Sequence, residues 1–169
     1  EVLYLTDTID DFWLQNASEF KGKKFKSVTK GDINLGETDK DKKEKPPKES
    51  ADLIKQLKEV LKDDVSDVRI SKRLTESPVC LVAQERGVDM HMERVLKIHQ
   101  KYAGNSKPVL EINIKHPLIE KLGTKTGNTE LFADAAHLLL DQARIVQGEP
   151  VNDAGAFARR LSAFMASGL

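Results

Sequence analysis

The sequence predicts an α+β fold, and three observations carry that prediction. Strand-length apolar runs occur at 65–70, 78–82 and 109–114, with a long amphipathic pattern, 87–102, between the last two. The chain closes on two helical stretches, 129–147 and 153–166, each long enough to pack along another helix. From Glu37 to Glu49 there are only charged residues, a threonine and two prolines. Such a tract cannot offset its chain entropy by burial, so it marks a linker, 36–49, between an initial segment, 1–35, and a main domain, 50–169.

In chain order, Val2–Thr6 is expected to form a short buried strand. Asp7 or Thr8 then offers an N-cap, with Asp10 and Asp11 placing negative charge in the first turn of a helix to about Ala17. Ile9, Phe12 and Trp13 lie towards one side of that helix. Lys21-Gly-Lys-Lys24 makes a basic turn, and Phe25–Val28 alternates like a half-buried strand. With no aromatic stacking platform beside them, Lys21, Lys23, Lys24 and Lys26 fit a solvated turn that guards a strand edge.

Beyond the linker, Ser50 is expected to cap a helix with Leu53, Ile54, Leu57, Val60 and Leu61 at helical spacing. Val65–Ile70 alternates as a strand, Pro78–Val82 supplies a second and Val109–Ile114 a third. In the amphipathic stretch, Val88, Met92, Val95, Leu96, Ile98, His99 and Tyr102 share one side. Asp89, Glu93, Arg94, Lys97 and Lys101 take the other, and Met90 falls among them. This pattern fits a core-facing helix, or an adaptable methionine-bearing surface for apolar partners. Gly104 stops it, and Pro117 fits the first turn of a short helix over His116–Leu122.

Of 169 residues, 27 are Lys or Arg and 27 are Asp or Glu, so no net field favours nucleic acid or an anionic membrane. The single cysteine, Cys80, excludes an internal disulfide and a multi-cysteine zinc site, and its apolar surroundings fit an inert thiol. No apolar run approaches the roughly 20 residues that cross a bilayer, and no signal peptide is readable. A reducing, cytoplasmic compartment is expected. The first residue is Glu1, followed at once by a strand-like run, so the chain is expected to be a piece of a longer one.

No phosphate-binding glycine loop is present. His91, His99, His116 and His137 are scattered without ligand spacing. His137 and Asp141, one turn apart, have no evident nucleophile nearby, and Asp10 and Asp11 suit a helix N-terminus better than an acid/base pair. Arg159-Arg160 fits solvent exposure or an ion pair at the edge of a bundle. No catalytic residue, cofactor site or metal site is assigned to this chain.

The stretch 129–147 points to a partner. Its apolar residues, among them Leu131, Phe132, Ala135, Ala136, Leu138, Leu139, Leu140 and Ile145, spread over about 220° of the helix, where a monomer's surface helix needs a stripe of about 100° or somewhat more. Asp134, His137, Asp141 and Arg144 form a narrow polar ridge, and Gln142 alone interrupts the apolar side. The last helix adds Phe157, Leu161, Phe164 and Met165. Two such helices from each of two copies would form a four-helix bundle, with Leu131, Leu138, Leu139, Ile145, Phe157, Leu161 and Phe164 at the interface.

Met92-Glu-Arg-Val-Leu96 and Leu110-Glu-Ile-Asn-x-x-His-Pro117, with Arg73-Leu-Thr-Glu-Ser-Pro-Val-Cys80 upstream, resemble the C-terminal region of the ninety-kilodalton heat-shock chaperone family, in its bacterial branch. Glu1-Val-Leu-Tyr-Leu-Thr-Asp-Thr-Ile-Asp-Asp-Phe-Trp13 resembles the last part of that family's α/β middle domain. The resemblance implies part of an ATP-driven, stress-response chaperone: the end of a middle domain over 1–35 and a C-terminal homodimerisation domain over 50–169. It also implies that ATP, magnesium and the arginine assisting hydrolysis belong upstream of Glu1. Unfolded or partly folded client proteins would touch Asp11, Phe12 and Gln15, together with Val88, Met92, Val95 and Leu96 on the amphipathic helix. The bacterial pattern carries Trp where this chain has Phe12, and Trp13 would supply that aromatic contact one position later. The alternative is a purely structural homodimerisation module without a client surface.

Overall fold

The structure is a computed structural model that describes residues 3–5, 7, 10, 13, 14, 16, 17, 19–25, 48–84, 107–125 and 129–168. The chain divides into two compact units, one comprising 1–36 with 83–106 and the other 37–82 with 107–169.

In the first unit the backbone is helical at Asp10, Trp13, Leu14 and Asn16. The Asp7 N–H donates to the Asp10 carboxylate at 3.0 Å, while the Asp10 N–H donates to the Asp7 carbonyl at 3.0 Å. This reciprocal pair satisfies groups that a helix start leaves open. The expected strand at Val2–Thr6 is absent where it is described. Leu3, Tyr4 and Leu5 are irregular and exposed, because a strand needs a neighbour and no described residue pairs with them. Instead β1 (Glu19–Phe20) and β2 (Lys23–Lys24) form a small antiparallel hairpin. Its turn residues Lys21 and Gly22 have φ of 49° and 75°, the sign that suits tight hairpins with twisted strands. Lys21, Lys23 and Lys24 are exposed, as expected of a solvated turn, while Lys26 lies outside the described residues, and Lys21 Nζ lies 5.4 Å from the Phe20 ring centre.

The second unit holds the main core. Helix α1 (Lys48–Val60) begins two residues before the expected cap Ser50. Lys48 and Glu49 are good helix formers, so the start moves outward and Ser50 lies inside the first turn. Leu53 and Leu57, with Leu61 just beyond the helix end, are buried. Strands β3 (Asp67–Ile70), β4 (Val79–Val82) and β5 (Val109–Ile112) make a mixed sheet in the order β3-β5-β4. The central β5 runs parallel to β3 and antiparallel to β4, and all four of its residues are buried. Arg69, Glu111 and Cys80 share one row across the three strands.

Helix α2 (Pro117–Gly123) has Pro117 at its start and His116 as N-cap, whose Nδ1 accepts the Leu118 N–H at 3.1 Å. Helices α3 (Thr129–Val146) and α4 (Ala154–Gly168) follow. In α3 the buried residues Phe132, Ala136, Leu139, Leu140 and Ala143 form one stripe, and α3 packs on β4 and α1. The chain therefore has the mixed helix and sheet content expected. The amphipathic stretch Val88–Tyr102 lies outside the described residues.

Candidate self-association groove

The second arc of α3 is the origin of the site. Leu131, Ala135, Leu138, Gln142 and Ile145 follow one another at steps of four, three, four and three residues, the spacing of a seam between packed helices. On α4, Phe157, Leu161 and Phe164 repeat the same steps. These two rows, with Leu118 and Leu122 from α2, line an open groove of ≈ 710 Å³. Lys121, Thr124 and Lys125 lie along its α2 side, and Gln142 is the polar residue that α3 and α4 contribute to the lining.

All seven residues expected at a dimer interface line this groove. Ile145 is 52% exposed, Leu161 41% and Leu131 37%, while Leu138, Phe157 and Phe164 are half-buried. Leu139 differs: it is only 4% exposed, so it belongs chiefly to the core and reaches the groove at its floor. Val146, which the sequence did not single out for the interface, is 75% exposed at one end. No residue of α4 is buried, although the helix is 15 residues long. A helix of that length gains most of its stability from packing an apolar face, and α4 packs mainly on α3.

The corner that sets α4 against α3 is specified chemically. Gly148 has φ of 73°, its N–H donates to the Ile145 carbonyl at 2.9 Å, and the Glu149 N–H donates to the Arg144 carbonyl at 2.9 Å. Two of the carbonyls that a helix end leaves open are satisfied in this way. The Arg144 guanidinium reaches Asp64 at 2.9 Å and Asp141 at 3.2 Å, and the Asn152 amide donates to the same Asp64 oxygen at 3.1 Å. The polar ridge expected on α3 is thus only partly a solvent ridge: Asp141 and Arg144 are buried. Burial is tolerable because Arg144 lies between two carboxylates and pairs with both Asp141 and Asp64. Farther along, Arg160 of α4 pairs with Asp134 of α3 at 2.9 Å, an ion pair between the two helices.

At the start of α4 the Asp153 carboxylate accepts the Ala156 N–H at 2.9 Å. That hydrogen bond is the main reason its carboxyl sits below the ordinary value of 3.8, with the nearby Arg159 and Arg160 adding to the shift.

Of the expected client-contact positions, Trp13 alone is described. It is 50% exposed and meets Phe25 edge-on at 5.8 Å between ring centres. Asp11, Phe12, Gln15, Val88, Met92, Val95 and Leu96 lie outside the described residues. Among the described residues no cluster of three potential metal ligands occurs, and no helix is long and apolar enough to cross a membrane.

The family model described as Hsp90 protein matches residues 1–169. The chain is 46% identical over 180 residues to the protein named "Chaperone protein HtpG" from Roseobacter denitrificans, covering 100% of the chain and 29% of that relative. A protein of the same name from Rhizobium etli is 45% identical over 166 residues, covering 96% of the chain and 26% of the relative. Another, from Azorhizobium caulinodans, is 46% identical over 176 residues, covering 100% and 28%. The chain thus spans well under a third of the length of these curated relatives, and it belongs to the Hsp90 protein family.

Proposed function

We propose that this chain supplies the homodimerisation and client-binding portion of an ATP-dependent chaperone that handles unfolded or partly folded proteins in the cytoplasm. In that arrangement residues 1–35 close a middle domain, 36–49 connect, and 50–169 form the dimerisation domain. ATP and magnesium belong to other parts of the parent protein.

The observation that carries the dimer is the groove between α2, α3 and α4. Its occupant is a second copy, because one face presents both a cleft and the apolar ridge of α4. A two-fold pair uses the same patch on both partners, so such a face is self-complementary. Each side chain moved from partial exposure into contact contributes up to roughly 1.5–3 kcal/mol before ordering losses, and a credible interface buries at least roughly 1,000 Å² in total.

Sedimentation of the native chain is expected to show a dimer at tens of micromolar. Leu138→Glu and Phe157→Glu set a charge against apolar neighbours and should give folded monomers. A native monomer, or dimers in both variants, would remove the dimer from the proposal. Client binding is tested on the amphipathic stretch. Met92→Ser with Leu96→Ser should weaken capture of an unfolded polypeptide with little change in melting temperature. A large fall in melting temperature with unchanged affinity per folded molecule would leave a purely structural dimerisation module.

A further inference from the structure

On the groove face of α3 the seam runs Leu131, Ala135, Leu138, Gln142 and Ile145, so an amide occupies a position where the steps of four and three call for an apolar side chain. Gln142 is exposed in the single chain, and its amide makes no hydrogen bond to any described residue. Its exposure leaves it open to solvent there, but a second copy seated in the groove would cover it. An amide carries donors and acceptors together, so it can be satisfied in an interface only where the facing helix presents a polar counterpart. The other polar lining residues, Lys121, Thr124 and Lys125, all lie on the α2 side. The opposing surface is therefore mostly apolar, and sliding one copy along the other would strand the Gln142 amide.

We propose that Gln142 is the residue that fixes the register of the homodimer: it sacrifices affinity so that one alignment of the two copies is favoured over its neighbours. This rests on the dimer proposed above. A single polar side chain in an otherwise apolar seam acts in this way in paired helices, lowering stability while specifying alignment and copy number. Leucine or isoleucine at position 142 would extend the apolar row without a break, and several alignments would then bury similar area.

The test uses the full chain with Cys80→Ser and Ala163→Cys, so that one nitroxide label per copy reports the distance between copies. Ala163 is exposed and does not line the groove. The parent should give one narrow distance. Gln142→Leu should bind its mate roughly ten-fold more tightly. Its distance distribution should broaden or split, and species larger than a dimer should appear on sedimentation. Gln142→Asn, which keeps an amide, should return the single distance. If Gln142→Leu keeps one narrow distance and remains strictly dimeric, or if it weakens the dimer, Gln142 does not set the register. A parent chain that sediments as a monomer would instead overturn the dimer itself, so the two failures are distinguishable.

Discussion

Glu111 holds a carboxylate at the centre of the sheet with its side chain only 6% exposed. Arg69 donates to Oε1 from Nε at 3.0 Å and from Nη2 at 2.8 Å. Ser71 Oγ and Arg73 Nε each donate to Oε2 at 3.0 Å. Removing the carboxylate would leave two cations facing apolar strands. Glu111→Ala is expected to lower the unfolding free energy by about 2–4 kcal/mol, somewhat less than the about 3–5 for a fully buried pair, because both arginines reach water. Glu111→Gln, which keeps one acceptor, should cost less. Urea unfolding measures both, and equal losses would show that charge is irrelevant here.

In the same row, burial raises the Cys80 thiol above its ordinary value, against the opposing pull of Arg73, so little thiolate forms at neutral pH. Asp153 moves the other way. Its carboxyl is lowered in the folded chain, so the cap it provides is fully present above the ordinary value of 3.8 and fades as pH falls through the lower folded value. Asp153→Ala should therefore speed amide exchange at Ala156 and Phe157 near neutrality, and the difference from the native chain should shrink under strong acid. A difference that persists unchanged under strong acid would assign the effect to something other than the ionised cap.

Among the elements, the turn between α3 and α4 is held by a glycine that a side chain would strain. Gly148→Ala places a Cβ in the left-handed region at a cost of about 1–2 kcal/mol. Because this turn aims α4, the variant should also weaken self-association, read by sedimentation beside thermal unfolding. If association is untouched while stability falls, α4 is oriented by its contacts with α3 alone. What the sequence revealed of these elements follows the range of its patterns. The strands β3, β4 and β5 and the helices α2, α3 and α4 announced themselves through strand-length apolar runs, helical spacing and Pro117. The hairpin β1–β2 did not, since two-residue strands hold no period and only Lys21-Gly22 hinted at a turn. Leu3–Leu5 looked like a strand because local composition does not say whether a neighbour is present. The burial of Arg144 and Asp141 was also hidden. Asp64, which pairs with Arg144, stands 80 positions before it, and helical spacing alone showed only a polar ridge. Conversely, the excess apolar arc of α3 was legible, because 3.6 residues per turn show at once how much of a helix one neighbour can cover.

For the molecule as a whole, folding and association should be linked through α4. The core of the second unit, built on Leu57, Leu61, Leu110, Ile112 and Leu140, is complete within one chain, whereas α4 buries none of its residues there. A second copy in the groove adds burial to the folded state alone, so mass action makes stability depend on protein concentration. Melting temperature should rise by about 2–4 °C for each ten-fold increase in concentration, the range expected for a chain of this size. Leu161→Glu should flatten that dependence, because the charge blocks the groove while the core stays intact. Leu57→Ala should behave oppositely: it costs about 2–5 kcal/mol through a core cavity, yet leaves the concentration dependence in place. Scanning calorimetry over a hundred-fold range of concentration distinguishes the two variants. A native chain whose melting temperature ignores concentration would mean that α4 is stable without a mate and that the groove does not couple association to folding.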